Sequence, residues 1–424
     1  MVSAPEAERA WNLAKSRPVD AIDLARALLH RLAVDDPDRA IALAARGRAH
    51  FELGDNDQAI IDLRRAVDTA SGSVRSRALI ALSAAVAAGG DRQAAAGMLE
   101  SVISAESGDE TDPTIRAMAR SQLGLVRMHE GDMTGAAELL ERSTGPLRDD
   151  PREHDALARV LGNAGYCQLV IGDLDRAIEL FDEAVELGRR TDQQMVVAGC
   201  LQNKAYAFTL LGDFPEALTQ LDRANDAYRE LGGADRNQST LYDDMADTYR
   251  LAGLTRDAVA NAEAALRRVE GRGNVEKEAD ALYRLAICLL DDGDHRRAID
   301  TAKRASSLFA SAGRPLWQTR ATLIAVEAAT ADQLTGTDEQ IDEVEGAVAQ
   351  LERAGWRTEG LRLRNRMLLM GLADDDHVLA ERFLLDGTPD HDQSVLGRLE
   401  GLLPRAVADH LRSGRAAAAL SEAR

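Results

Sequence analysis

Aromatic side chains make up only 4% of this 424-residue chain, so its interior has to be filled by Ala, Leu, Ile and Val. Small and aliphatic side chains let helices approach closely, and helix on helix is the natural outcome. Lysine is reduced to Lys15, Lys204, Lys277 and Lys303, and the formal charge is -20 with a pI near 4.9. Phosphate recognition needs a dense basic patch that releases counterions, so a nucleic-acid surface is excluded. No stretch is apolar enough to span a bilayer, which argues against a membrane protein. The opening MVSAPEAERAWNLAKS has acidic residues and no apolar signal core. The expected location is the cytoplasm, where thiols stay reduced, and the chain has just three cysteines.

Motifs for chemistry are missing too. The chain holds no P-loop, no dinucleotide-binding glycine fingerprint, no zinc-metalloprotease helix and no CxxC pair. Its eight histidines are scattered, with none paired at ligand spacing. The expectation is therefore no catalytic residue, no metal and no cofactor. Asp35, Asp36, Asp38 and residues 374–376 read as turn and cap residues, since the spacing of a calcium loop is absent. Cys167 and Cys288 both lie five residues before a turn glycine, three repeats apart, and read as small core fillers. Cys200, early in a first helix, is expected to be exposed. Trp11, Trp317 and Trp356 are expected to begin helical segments and pack half-buried.

What the chain does have is a recurring Gly-Asp turn. It appears at residues 53–55, 89–91, 130–132, 171–173, 211–213 and 292–294, with Ala-Gly-Leu at 252–254 filling the one gap. The turn glycines Gly54, Gly90, Gly131, Gly172, Gly212, Gly253 and Gly293 are separated by 36, 41, 41, 40, 41 and 40 residues. A fixed period of this size means a solenoid. Glycine supplies the left-handed conformation that ends one helix, and Asp caps the next, so each unit is a helical hairpin. Alanine follows five residues after every one of these glycines, at Ala59, Ala95, Ala136, Ala177, Ala217, Ala258 and Ala298. A methyl there permits close backbone approach where two helices cross, and a larger side chain would overpack the seam.

These residues resemble the tetratricopeptide repeat family. The best unit is LGNAGYCQLVIGDLDRAIELFDEAVELG, in which Gly165, Ala177, Phe181 and Ala184 fall where that motif places small, small, aromatic and small side chains. Gly47 and Gly124 repeat the first of these. The expected fold is all-α and strand-free, a tetratricopeptide-type superhelical solenoid of about ten to eleven hairpins with a period near 40 residues. Residues 1–315 form the regular array, opened by a unit over residues 11–29 with Ala21 as its small packing residue. Residues 316–424 read as degenerate repeats continuing through Gly336, Gly371 and Gly414, with a loop over residues 331–338 and a chain end that looks truncated.

The resemblance implies an interaction scaffold whose first helices line a groove that takes a protein or peptide. Asn163 and Asn203 each lie nine residues before their turn glycines, where such proteins place an Asn that bonds a ligand backbone. Tyr166 and Tyr206, three residues on, share the same helix faces. A clamp for a terminal carboxylate also needs basic groove residues, and the sequence offers Gly162, Tyr166, Gln202 and Tyr206 near the asparagines instead, so that clamp is not expected there. Asp243, Asp247, Asp280 and Asp291 fall on groove positions and are expected to favour a basic segment of the partner. The Ala/Arg-rich repeats, the long period and the last segment, residues 396–424, also resemble the repeat region that precedes the caspase-like protease domain of actinobacterial CHAT proteins. On that reading the chain is the regulatory part of a larger protein. A repeat module of a signal-responsive transcription regulator is the other reading.

Overall fold

The computed structural model describes residues 4–105, 112–231, 235–333 and 346. Among them are seventeen α-helices, one short 3-10 turn and no strand. The chain divides into two compact units, Met1–Leu231 and Gly232–Arg424. Unit 1 holds six hairpins: α1 (Ala4–Ser16) with α2 (Pro18–Arg31), α3 (Pro37–Glu52) with α4 (Asn56–Thr69), α5 (Gly72–Ala88) with α6 (Arg92–Ser104), α7 (Pro113–Glu130) with α8 (Met133–Asp149), α9 (His154–Ile171) with α10 (Leu174–Arg190), and α11 (Gln194–Leu211) with α12 (Phe214–Glu230). Unit 2 holds α13 (Asp235–Leu251) with α14 (Thr255–Val269), α15 (Val275–Asp291) with α16 (His295–Ser311), and then α17 (Pro315–Gln333).

The hairpin turns follow from two residues. All seven turn glycines adopt positive φ, between 76° at Gly253 and 98° at Gly172. Most residues meet a steric penalty there that glycine escapes. The next residue then caps the second helix: Asp55, Asp91, Asp132, Asp173, Asp213 and Asp294 each accept the backbone N–H three residues on. Leu254 occupies the equivalent place at α14 and offers no side-chain cap.

Within each hairpin the seam is built from small residues meeting large ones. The seven alanines five residues after the turn are fully buried. A Cβ at Gly47 would come within 2.7 Å of Leu63, at Gly124 within 2.8 Å of Leu140, and at Gly165 within 2.7 Å of Phe181. The glycine is thus a socket for the bulky residue of the facing helix, which explains the small and aromatic pairing in the best repeat. Between α3 and α4, Arg46 closes a bidentate ion pair on Asp62, with both contacts at 2.6 Å; Asp62 is only 2% exposed. A carboxylate that deep needs such a fork of donors.

First helices of successive hairpins pack on one another, α1 on α3, α3 on α5, α5 on α7, α7 on α9 and α9 on α11 in unit 1, and α13 on α15 and α15 on α17 in unit 2. Second helices instead bridge to the next first helix. Each unit therefore curves with its odd-numbered helices on the inner side.

Several expectations shift. The opening hairpin starts at Ala4, which puts Trp11 inside α1 and not at its beginning, though Trp11 and Trp317 are half-buried as packing residues. The loop expected from residue 331 does not begin there, since α17 runs through Gln333. Cys200 is buried, not exposed, because its thiol fills the space left by Gly162 of the neighbouring first helix; a Cβ on Gly162 would lie 2.8 Å from the Cys200 Sγ. Beyond α17, the expected repeats at Gly336, Gly371 and Gly414, Trp356, and the expected truncated end lie outside the described residues.

Replacing Ala177 by Leu should overpack the α9–α10 seam and cost roughly 1 to 3 kcal/mol in a urea melt. Asp173→Ala, which removes only the cap of α10, should cost about 1 kcal/mol in the same measurement.

Candidate functional site

The inner side of unit 1 forms an open cleft of about 930 Å³ lined by residues of α1, α3, α5 and α7, Leu140 of α8, the short 3-10 turn that precedes α9 and the first half of α9. Which residues face it follows from distance to the turn glycine. Six residues before the turn stand Arg48, Ala84 and Leu125; nine before stand Ala81, Gln122 and Asn163; thirteen before stand Arg77, Met118 and Arg159, and all of them line the cavity. Helical geometry places these offsets on one face.

Asn163 lines this cavity from α9. It is half-buried and makes no side-chain hydrogen bond to a described residue, which leaves the amide open to a ligand. Asn203 holds the same position on α11, also half-buried and without such a bond. Tyr166 and Tyr206 are exposed, at 39% and 49%. Val170 and Leu210, four residues further along the same helices, are about half exposed. Large apolar side chains standing in water at i and i+4 on two packed helices form a surface suited to covering.

Sequence reasoning missed the other side of the cavity. Two guanidinium groups lie over the Trp11 ring, Arg48 at 4.8 Å and Arg77 at 4.5 Å from its centre. Arg77 also forms a bidentate pair with Glu8, both contacts 3.0 Å. Arg159 is paired with Asp155 at 3.2 Å and donates to Gln193 at 3.1 Å, and Arg152 is paired with Asp150 at 2.8 Å. Desolvation, then repulsion from Arg159, holds the Lys15 ammonium below its usual pKa. Desolvation also lowers Arg48, although Glu52 opposes the shift. Burial, aided by Asp155 and Asp150, pushes the Glu153 carboxyl up. Arg48 lies at the Tyr166 register, six residues before its turn glycine, and that register run back through the earlier hairpins would have reached it; Arg77, thirteen before Gly90, lies at neither the Asn163 nor the Tyr166 register.

The four acidic positions lie in unit 2, and arginines of the same unit answer them. Arg284 on α15 bridges Asp243 and Asp247 on α13, with its Nε 3.3 Å from Asp243. Arg314 meets Asp280 at 2.9 Å, and Arg250 meets Asp291 at 3.2 Å. Much of the negative charge expected to draw a basic segment is thus spent on cross-helix ion pairs. Asp243 is the exception in character: burial pushes its carboxyl up to about 7, against the pull of Arg284. Among the described residues no group of three His, Cys, Asp or Glu is placed to hold a metal ion, and no helix is long and apolar enough to cross a membrane.

Tetratricopeptide repeat family models match residues 6–74, 197–271 and 244–313. Residues 6–74 and 197–313 carry tetratricopeptide repeats. Its hairpins share their fold with the quorum sensor NprR from B. thuringiensis in its apo form, at 12% identity over 90% of this chain and 97% of that one, with a TM-score of 0.59. A Rap protein complexed with competence and sporulation factor is similar at 13% identity over 94% and 98% of the two chains, with a TM-score of 0.55. A signal transduction ATPase with numerous domains from Pyrococcus horikoshii, which has a tetratricopeptide repeat sensor, is similar at 14% identity over 82% and 53%, with a TM-score of 0.59. No curated protein matches the sequence.

Two measurements follow. Burial raises all three thiols, Cys167 to about 11 and Cys200 and Cys288 to about 12, so an aromatic disulfide reagent at pH 8 should find no fast-reacting thiol until the protein is unfolded. For Asp243 the folded pKa lies above the unfolded value of 3.8, so the folded state holds the proton more tightly. Its contribution to stability is therefore lost as pH rises from about 4 to about 7. Asp243→Asn removes that loss, and its melting temperature relative to the parent protein should climb between pH 5 and pH 8.

Proposed function

We propose that the chain is a peptide-binding scaffold with a sensing or regulatory role, and that the peptide lies along the inner face of unit 1. One observation carries the reading. Asn163 and Asn203 present two unbonded amides at the same register of adjacent first helices, beside the exposed rings of Tyr166 and Tyr206. An asparagine inside a helix is a poor choice for helix propensity alone. Its amide can pair both N–H and C=O of an extended backbone, while the tyrosines cover apolar side chains. The repeat type supports this, since such arrays build extended binding surfaces from first helices. Solved structures with this fold include a quorum sensor and a Rap protein bound to a factor, and the same kind of work is proposed for this chain.

In unit 2 the same reading would assign Asp243, Asp247 and Asp280 to a basic side chain of the partner. Such a group would have to displace Arg284 or Arg314, so the proposal rests on unit 1. The resemblance of residues 396–424 to the repeat region of CHAT proteins falls outside the described residues and adds nothing to this reading.

The test is selection from a random short-peptide library on the full chain, followed by affinity measurement for a selected peptide. Asn163→Ala with Asn203→Ala should weaken binding at least tenfold with an unchanged melting temperature, since leaving a backbone group unpaired typically costs about 1 to 3 kcal/mol. Unchanged affinity in the folded double variant refutes the site.

A further inference from the structure

Arg120 stands where this protein otherwise puts a core leucine. Eleven residues before their turn glycines, five of the other six hairpins carry Leu43, Leu79, Leu161, Leu201 and Leu282, none more than 9% exposed. The sixth carries Tyr242, whose ring is covered by Arg268 at 4.1 Å. In α7 the place is filled by Arg120, half-buried and without a hydrogen bond or ion pair to a described residue. A guanidinium in a leucine's site costs free energy unless its charge is answered.

Two more arginines gather there. Arg116 lies one turn earlier on the same face of α7. Arg142 follows Gly131 by eleven residues as Arg120 precedes it by eleven, so the antiparallel α7 and α8 bring the two to one level. Desolvation, then repulsion from Arg142 and Arg116, holds the Arg120 guanidinium below its usual pKa, with no carboxylate among the described residues opposing the shift. In other hairpins the residue eleven after the turn is answered by the preceding second helix: Glu183 meets Arg148 at 2.5 Å, and Arg304 meets Glu270 at 2.8 Å. Arg142 and Arg116 have no such partner among the described residues. The neighbouring acids are engaged elsewhere, Glu100 by Arg127 at 3.5 Å and Glu141 by Gln168 at 2.8 Å and Arg176 at 3.1 Å. Glu138, exposed and one turn before Arg142, bonds to none of the three arginines. A chain with a formal charge of -20 thus leaves three clustered cations without a carboxylate.

We propose that Arg116, Arg120 and Arg142 form a binding site for a phosphoryl group on α7 and α8. Three guanidinium groups with no carboxylate paired among them suit a dianion with three terminal oxygens, which can take more than one fork at once. A carboxylate has two oxygens and a single charge, and would leave at least one guanidinium unanswered. The site is separate from the inner cleft. At 100° per residue, Met118, Gln122 and Leu125, which line the cleft, point roughly 140 to 160° away from Arg120 around α7. It therefore does not rest on the peptide reading, and the two can fail independently.

The experiment is calorimetric titration of the full chain at constant ionic strength, since added salt alone screens a charge of this size. Inorganic phosphate supplies the free ion, acetyl-phosphoseryl amide a phosphorylated side chain, and acetyl-aspartyl amide a carboxylate of similar size. At least one of the two phosphates should bind saturably, with the carboxylate at least tenfold weaker. Tighter binding of the phosphoserine probe identifies a phosphorylated polypeptide as the source, and equal or tighter binding of inorganic phosphate identifies a free anion. Arg120→Leu, which restores the residue of the other hairpins, should raise the melting temperature in phosphate-free buffer and weaken phosphate binding at least tenfold. Arg142→Gln, at an exposed position, should weaken it several-fold, and Asn163→Ala with Asn203→Ala should leave it unchanged. No saturable binding of either phosphate, equal binding of the carboxylate, or unchanged binding in folded Arg120→Leu overturns the proposal. If Arg120→Leu does not fold, unchanged binding in Arg142→Gln overturns it.

Discussion

A left-handed glycine followed by a capping residue is the constraint on which the rest of the structure depends. Gly172 leaves α9 at φ 98°, and Asp173 at once supplies the acceptor that α10 needs at its first turn. The reversal is so short that α9 and α10 cross almost at their ends, and only a methyl fits there, at Ala177. Once the crossing is set, every other position has its face decided by its distance from the turn. Seven residues before the glycine is the socket for a large side chain of the partner helix, as Gly165 is for Phe181. Six, nine and thirteen residues before it point to the inner side.

That rule joins packing to function. The seam positions are held to small residues by steric fit, so they carry no freedom to specialise. The inner positions are free of that demand and differ from hairpin to hairpin: Arg48, Ala84 and Leu125 share one register with Tyr166 and Tyr206. A stack of nearly identical hairpins thus presents a surface that is cationic at α3 and aromatic at α9 and α11. In unit 2 the same offsets carry Asp247 and Arg284, and here the inner face is tied together by ion pairs between first helices.

How much of this was legible in the sequence can be judged from single residues. The turn glycines, their aspartates and the buried alanines are local features, each fixed by the conformation of a few neighbouring residues, and they could be read directly. Asn163 was singled out because its register recurs at Asn203. Arg48 and Trp11 escaped notice because they do not recur together. Trp11 belongs to an opening hairpin without a Gly-Asp turn to set its register, and its contact with Arg77 spans two further hairpins. Cys200 was misplaced for a related reason, since its burial depends on Gly162 in another hairpin.

By itself, then, the sequence determined the hairpin, its period, the small seam and the side of each helix that faces inward, because all of these are set within about 40 residues by backbone conformation and side-chain volume. Only the tertiary structure decided which charges meet. Arg77 found Glu8, Arg284 found Asp243 and Asp247, and Arg48 lies over the Trp11 ring with no carboxylate bonded to it among the described residues. Ion pairing between helices depends on distances of a few ångströms across separate hairpins, and a charge pattern along the chain does not contain those distances.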